Sequence, residues 1–98
     1  MVISNESGDV SILIDDRFDF SQHQSFRDAY ADCNTSGTNF VLELAKTTYM
    51  DSSALGIILL LKDHAEKISG KVIIRKPSEA VNKILEIAQF HRLLKIEL

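Results

Sequence analysis

A single cysteine, Cys33, excludes an intramolecular disulfide, and no histidine or second cysteine stands near it at metal-ligand spacing, so it reads as an inert thiol. Lysine and arginine are outnumbered by acidic residues, 11 to 14, and are scattered from Arg17 to Lys95 without a basic stripe. That excludes the phosphate-neutralising surface on which nucleic-acid binding depends. The longest apolar run, Ala54 to Leu61, is far short of the roughly 20 residues that cross a bilayer. Met1 to Asp9 lacks signal-peptide character, so a cytoplasmic protein without membrane insertion is expected. Internal repeats and low-complexity segments are missing as well, and Asn34 to Asn39, the most polar connector, reads as a loop.

What is present is the balance of a globular chain: 45% hydrophobic and 26% charged residues over 98 positions, enough for one modest core and one domain spanning residues 1–98. Apolar residues alternate at Val10, Ile12 and Ile14, at Phe40, Leu42 and Leu44, at Val72 and Ile74, and at Leu94, Ile96 and Leu98. Period two predicts four strands, with a weaker fifth over Val2 to Asn5 joined to the next by a tight turn at Ser7, Gly8 and Asp9 as an antiparallel hairpin. Ser11, Glu43, Arg75, Lys95 and Glu97 write one face of the sheet for water, so helices are expected mainly on the other.

Three helices are predicted between the strands. The first runs from about Ser21, as N-cap, to Cys33. The second runs from about Ser52 to Ser69, with Gly70 as a left-handed terminus. The third follows Pro77, with Ser78 as N-cap and Val81, Ile84, Leu85 and Ala88 at core spacing. Strand and helix alternate through most of the chain, which implies an α/β fold with a mixed, mostly parallel sheet.

The informative stretch is Tyr49 to Leu61, YMDSSALGIILLL. On a helical wheel Ala54, Ile57, Ile58, Leu61, Ala65 and Ile68 form one stripe, the face for the sheet. Leu55, Gly56, Leu59 and Leu60 lie off it, where neighbouring helices cover them or a partner docks. Asp51, Ser52 and Ser53 stand at the helix start, and for most helices capping alone accounts for such a trio.

MDSSALG, residues 50–56, resembles the MDSSGLG-type signature of the STAS anti-sigma factor antagonists, in which the serine directly after the Asp is phosphorylated. In this sequence that serine is Ser52. Upstream, Asp16-Arg17-Phe18-Asp19 is similar to the family's segment before the first helix: Asp19 matches, and Asp16 stands where the family usually has glycine. Ser78 to Leu85, SEAVNKIL, is similar to the third-helix start, with Glu79 where proline is frequent. The resemblance covers the whole chain and implies a STAS fold with four or five strands and at least three helices.

For function, the resemblance implies a partner-switching module. The unphosphorylated protein binds an anti-sigma factor that is also a serine kinase, phosphorylation releases it, and a PP2C-type phosphatase reverses the change. Asp19 would orient the loop or engage the kinase, while Asp51, Ser53, Leu55, Gly56, Leu59 and Leu60 would form the contact region around Ser52. Two alternatives stay open: a biofilm or motility regulator using the same phosphoserine cycle on another target, and a non-switching STAS subunit of a lipid-transporting ABC system. No G-x-x-x-x-G-K-[ST] phosphate loop is present, so ATP and Mg²⁺ belong to the partner, and no cofactor or metal is expected here. The chain is not expected to be an enzyme. Ser52 does not sit in a G-x-S-x-G string, His23, His64 and His91 read as surface or boundary residues, and Asp15, Asp16 and Asp19 lack EF-hand spacing.

Overall fold

The computed structural model describes all residues except Met1 and Ser7, and for Glu6 the backbone alone. Strands β1 (Val2–Glu6), β2 (Asp9–Leu13), β4 (Asn39–Glu43), β6 (Val72–Arg75) and β7 (Lys95–Glu97) form one sheet in the order β1-β2-β4-β6-β7. Two two-residue strands, β3 (Arg17–Phe18) and β5 (Tyr49–Met50), pair with each other outside it. Helices α1 (His23–Tyr30), α2 (Ser52–Lys67) and α3 (Glu79–Ile87) complete the chain, with short 3₁₀ turns at Phe20–Gln22 and Phe90–Arg92.

β1 and β2 are antiparallel, from Val2 opposite Leu13 to Glu6 opposite Asp9, and Gly8, at φ 86°, supplies the left-handed residue that closes the turn. The Ser7 of the expected turn lies outside the described residues. Every other pairing in the sheet is parallel, as the alternation of helices and strands predicts. Val10, Ile12, Ile14, Phe40, Leu42, Leu44, Val72 and Ile74 are all buried on one face, where they meet Phe26 of α1, the Ala54–Ile57–Ile58–Leu61–Ala65 stripe of α2 and Val81 and Leu85 of α3. Four aromatic rings run through this core: Phe18 to Phe26 at 5.3 Å, Phe26 to Tyr30 at 5.6 Å and Tyr30 to Phe40 at 6.2 Å. On the water face Arg75 bridges Glu43 at 3.1 Å and Glu97 at 3.5 Å, a cross-strand triad set by the registers of β4, β6 and β7.

Three details differ from the sequence expectation. Ser21 does not cap the first helix. Asp19 does, through a capping box with Gln22, and a 3₁₀ turn precedes α1. Helix α2 ends at Lys67, and the left-handed residue after it is Ser69, at φ 60°. Gly70 is required for a different reason: a Cβ there would sit 1.8 Å from the Thr38 carbonyl oxygen, because the α2 terminus folds tightly against the loop before β4. Finally, the terminal strand stops at Glu97, leaving Leu98 exposed. Ser78, by contrast, caps α3 through the Val81 amide as its position after Pro77 predicts.

Candidate partner-docking site

The miniature β3–β5 ladder organises the site. Arg17 pairs with Tyr49 and Phe18 with Met50, and the buried Phe18 and Met50 side chains pin both strands to the core. The next residue on each strand is an aspartate with extended backbone, Asp19 (φ −139°, ψ −172°) and Asp51 (φ −114°, ψ −178°), and each is an N-cap. Two capped helical starts therefore leave neighbouring parallel strands, and the turn after Asp19 lies against α2.

Asp51 is held by its own helix. Its Oδ1 accepts the Ala54 amide at 3.2 Å and the Ser53 hydroxyl at 2.6 Å. This satisfies free donors of the first turn and is worth about 0.5–2 kcal/mol. Ser52, between the two, is exposed, and its hydroxyl has no hydrogen-bond partner among the described residues. Of the trio, capping thus uses Asp51 and Ser53 and leaves Ser52 to solvent.

Asp19 is enclosed in a denser network. Its Oδ1 accepts the Ser21 amide at 2.9 Å and the Ser21 hydroxyl, its Oδ2 accepts Arg17 Nη2 at 3.1 Å, and its own amide donates to Gln22 Oε1 at 2.9 Å. The Ser21 hydroxyl above all, then the Ser21 amide, hold its carboxyl below the usual carboxylate range; desolvation opposes them, and the Arg17 hydrogen bond and charge each add a lesser lowering. Arg17 also lies over the Tyr49 ring, 4.4 Å from its centroid, which couples the first loop to the strand leading into Ser52. At the base of the loop, Asp16 accepts the Thr48 amide at 2.8 Å and the Tyr49 amide at 3.2 Å on its carbonyl, and the Thr48 hydroxyl on its carboxylate. Its backbone is not left-handed, so a residue with a side chain fits there without backbone strain.

Beyond the helix start, Leu55 is half-buried against the core, Gly56 is exposed, and Leu59 and Leu60 are 40% and 49% exposed. The off-stripe residues therefore divide: Leu55 is covered from within the molecule, while Leu59 and Leu60 are open. Tyr49, on the strand leading into Asp51, and Phe20, in the turn that follows Asp19, are further apolar groups, 42% and 66% exposed. Neither Phe20, Tyr49 nor the Arg17 bridge stands out in the sequence; the only signal was that they flank the two aspartates. The histidines are occupied elsewhere. His23 stacks on Phe20, His64 Nε2 is 3.0 Å from the Cys33 carbonyl oxygen, and His91 is exposed; no described hydrogen bond joins any of them to Ser52. Among the described residues no group of three metal-ligating side chains comes together, and no helix is long and apolar enough to cross a membrane.

Comparison with solved structures places this architecture among known ones. The unphosphorylated form of the anti-sigma factor antagonist SpoIIAA superposes with a TM-score of 0.82 at 17% identity, over 99% of this chain and 87% of that one. A Thermotoga maritima protein described as a candidate anti-sigma factor antagonist gives 0.82 at 17% identity, over 99% and 85%. A sulfate transporter family protein of Wolinella succinogenes gives 0.82 at 14% identity, over 94% and 78%. At such identities the likeness is one of fold. In sequence, the chain is 43% identical over 93 residues to a STAS-domain containing protein of Pseudomonas aeruginosa (strain UCBPP-PA14), covering 95% of this chain and 92% of that one. The STAS domain model matches residues 2–98, and the chain belongs to the STAS domain family.

Proposed function

We propose that this protein is an anti-sigma factor antagonist, a protein-binding module that holds its partner while Ser52 is unmodified and releases it once Ser52 is phosphorylated. The observation that carries this reading is the free, exposed Ser52 hydroxyl at the first position of α2, between two residues already committed to the cap. A kinase reaches such a hydroxyl without dismantling the helix start.

Phosphorylation adds a charge of about −1.5 to −2 at a helix N-terminus, where the dipole and free amides favour anions. The fold tolerates the change. A partner seated over Gly56, Leu59 and Leu60 does not, because it meets a dianion beside Asp51 inside a desolvated contact. A cost of about 3–4 kcal/mol, typical of a disrupted interfacial charge arrangement, lowers affinity a few hundredfold. The partner of this reading is a serine-kinase-type anti-sigma factor, which brings the ATP, and a PP2C-type phosphatase restores the serine. Leu55 then supports the surface from beneath and Asp19 fixes the neighbouring loop. The module acts in the cytoplasm and performs no chemistry of its own. A biofilm or motility regulator running the same cycle on another target differs only in the partner.

A second reading is favoured by the likeness to a sulfate transporter family protein: the same surface as a permanent docking face on a membrane transporter, without a switch. Affinity purification from the native host with wild type, Ser52→Ala and Ser52→Asp, together with phosphosite mapping, separates the two. The switch gives a phosphate at Ser52 and a partner retained by Ser52→Ala and lost by Ser52→Asp. Equal recovery of a transporter by all three, with no phosphate at Ser52, supports the permanent subunit.

A further inference from the structure

The five-stranded sheet has two edges, and they are built differently. At one, β7 is three residues long, and two of them, Lys95 and Glu97, are charged and joined at 3.4 Å. Short length and charge of this kind keep foreign strands away. At the other, β1 runs five residues, VISNE, without lysine or proline. Its ladder with β2 is continuous from Val2 opposite Leu13 to Glu6 opposite Asp9, with no bulge. The outward N–H and C=O groups of β1 have no strand beyond them among the described residues, which makes this edge a template for another strand.

Both faces of this edge are apolar and open. Ile3 stands opposite Ile12 and so lies on the helix side; Ile12 is fully buried while Ile3 is 47% exposed, because the core ends at β2. Val2, opposite Leu13 on the helix-free face, is 62% exposed. On that face the charges stand on β4, β6 and β7, at Glu43, Arg75, Lys95 and Glu97, whereas β1 and β2 carry Val2, Ser4, Ser11 and Leu13 there. The charged residues of the hairpin, Glu6 and Asp9, flank its turn. In a chain of net −3, this uncharged margin is where a second molecule of the same charge meets little repulsion.

We infer that β1 is a dimerisation edge: a second copy of this chain adds its own β1 antiparallel, with Ile3 opposite Ile3, and joins two five-stranded sheets into one. A two-fold axis that pairs one edge with itself closes after two copies, so a discrete dimer results and not a fibre. This register sets the two Ile3 side chains together on the helix side and each Val2 opposite Ser4 of the other copy. It also leaves the two Glu6 residues six positions apart along the joined strands, roughly 20 Å and well beyond the screening length of about 8 Å. Two five-residue edges fall below the roughly 1,200 Å² of a standard complex, so the dimer is reversible. The inference does not depend on the role of Ser52.

The test is sedimentation equilibrium of the full chain over a concentration series reaching about 1 mM, where a reversible dimer with a Kd on the order of 100 μM is expected. Ile3→Lys, which brings like charges together at the axis, is expected to weaken the dimer at least tenfold with the amide spectrum still dispersed. Leu59→Asp is expected to leave it within twofold. In a Cys33→Ser background, Ile3→Cys is expected to give a disulfide-linked dimer on mild oxidation. Directly opposite residues of an antiparallel pair lie about 4.5–5.5 Å apart, inside the range that a disulfide spans. A monomer throughout the series, a dimer unmoved by Ile3→Lys, a dimer lost with Leu59→Asp, or no crosslink through Ile3→Cys would each overturn the inference.

Discussion

Ser53 donates its hydroxyl to the Asp51 carboxylate at 2.6 Å, and that bond separates structure from signalling within one short string. The two serines of the motif are equivalent in composition and opposite in employment. Asp51→Ala, which removes the acceptor of both the Ser53 hydroxyl and the Ala54 amide, is expected to cost about 0.5–2 kcal/mol in urea unfolding. Ser52→Ala, touching an exposed hydroxyl with no described partner, should stay within about 0.5 kcal/mol of wild type.

Leu59 and Leu61 make the same contrast on the helix barrel. Leu61 is fully buried beneath the sheet and Leu59 is 40% exposed. Leu61→Ala is expected to lose about 2–5 kcal/mol. Leu59→Asp should leave the thermal midpoint nearly unchanged while weakening partner binding in a pull-down. A large fall in the Leu59→Asp midpoint would place that side chain in the core and remove it from the docking surface.

Gly70 is the backbone contact most sensitive to a single added carbon. With the Thr38 carbonyl oxygen 1.8 Å from the Cβ position, Gly70→Ala must displace main chain, since no flexible side-chain end is there to yield. Chemical denaturation should register a loss of about 3 kcal/mol, the upper part of the usual overpacking range.

Asp19 gives the site a defined acid response. Its carboxyl titrates below the usual range when folded, chiefly because of the Ser21 hydroxyl and amide. A depressed folded value means that the ionised form stabilises the fold. That contribution is complete above the unfolded carboxylate value of about 3.9 and is lost as pH falls through the lower folded value. Carbon-detected NMR should find the Asp19 midpoint below that of an unstructured aspartate. Asp19→Asn should flatten this part of the stability profile, and Ser21→Ala should move the Asp19 midpoint upward.

Much of this was legible before any coordinates. Period-two alternation located the strands because one face of the sheet is wet, and the Ala54 to Ile68 stripe located the buried side of α2. The elements that build the site were harder to read. β3 and β5 are two residues long, too short for any periodicity, and they exist because Phe18 and Met50 anchor in the core. Asp19 displaced Ser21 as the cap because Gln22 completes a capping box with it, which depends on the 3₁₀ turn. Gly70 looked like a helix terminus because glycine usually marks one, and only the position of Thr38 reveals the steric reason. Whether Leu59 was covered depended on the placement of neighbouring helices, which the wheel of a single helix does not contain.

The central claim rests on Ser52, and its most direct test is the affinity of the captured partner for protein carrying serine or phosphoserine at that one position, measured by calorimetry. The expected result is a loss of at least a hundredfold on phosphorylation, with the thermal midpoint of the free protein almost unmoved. Affinities within threefold of each other would contradict the account.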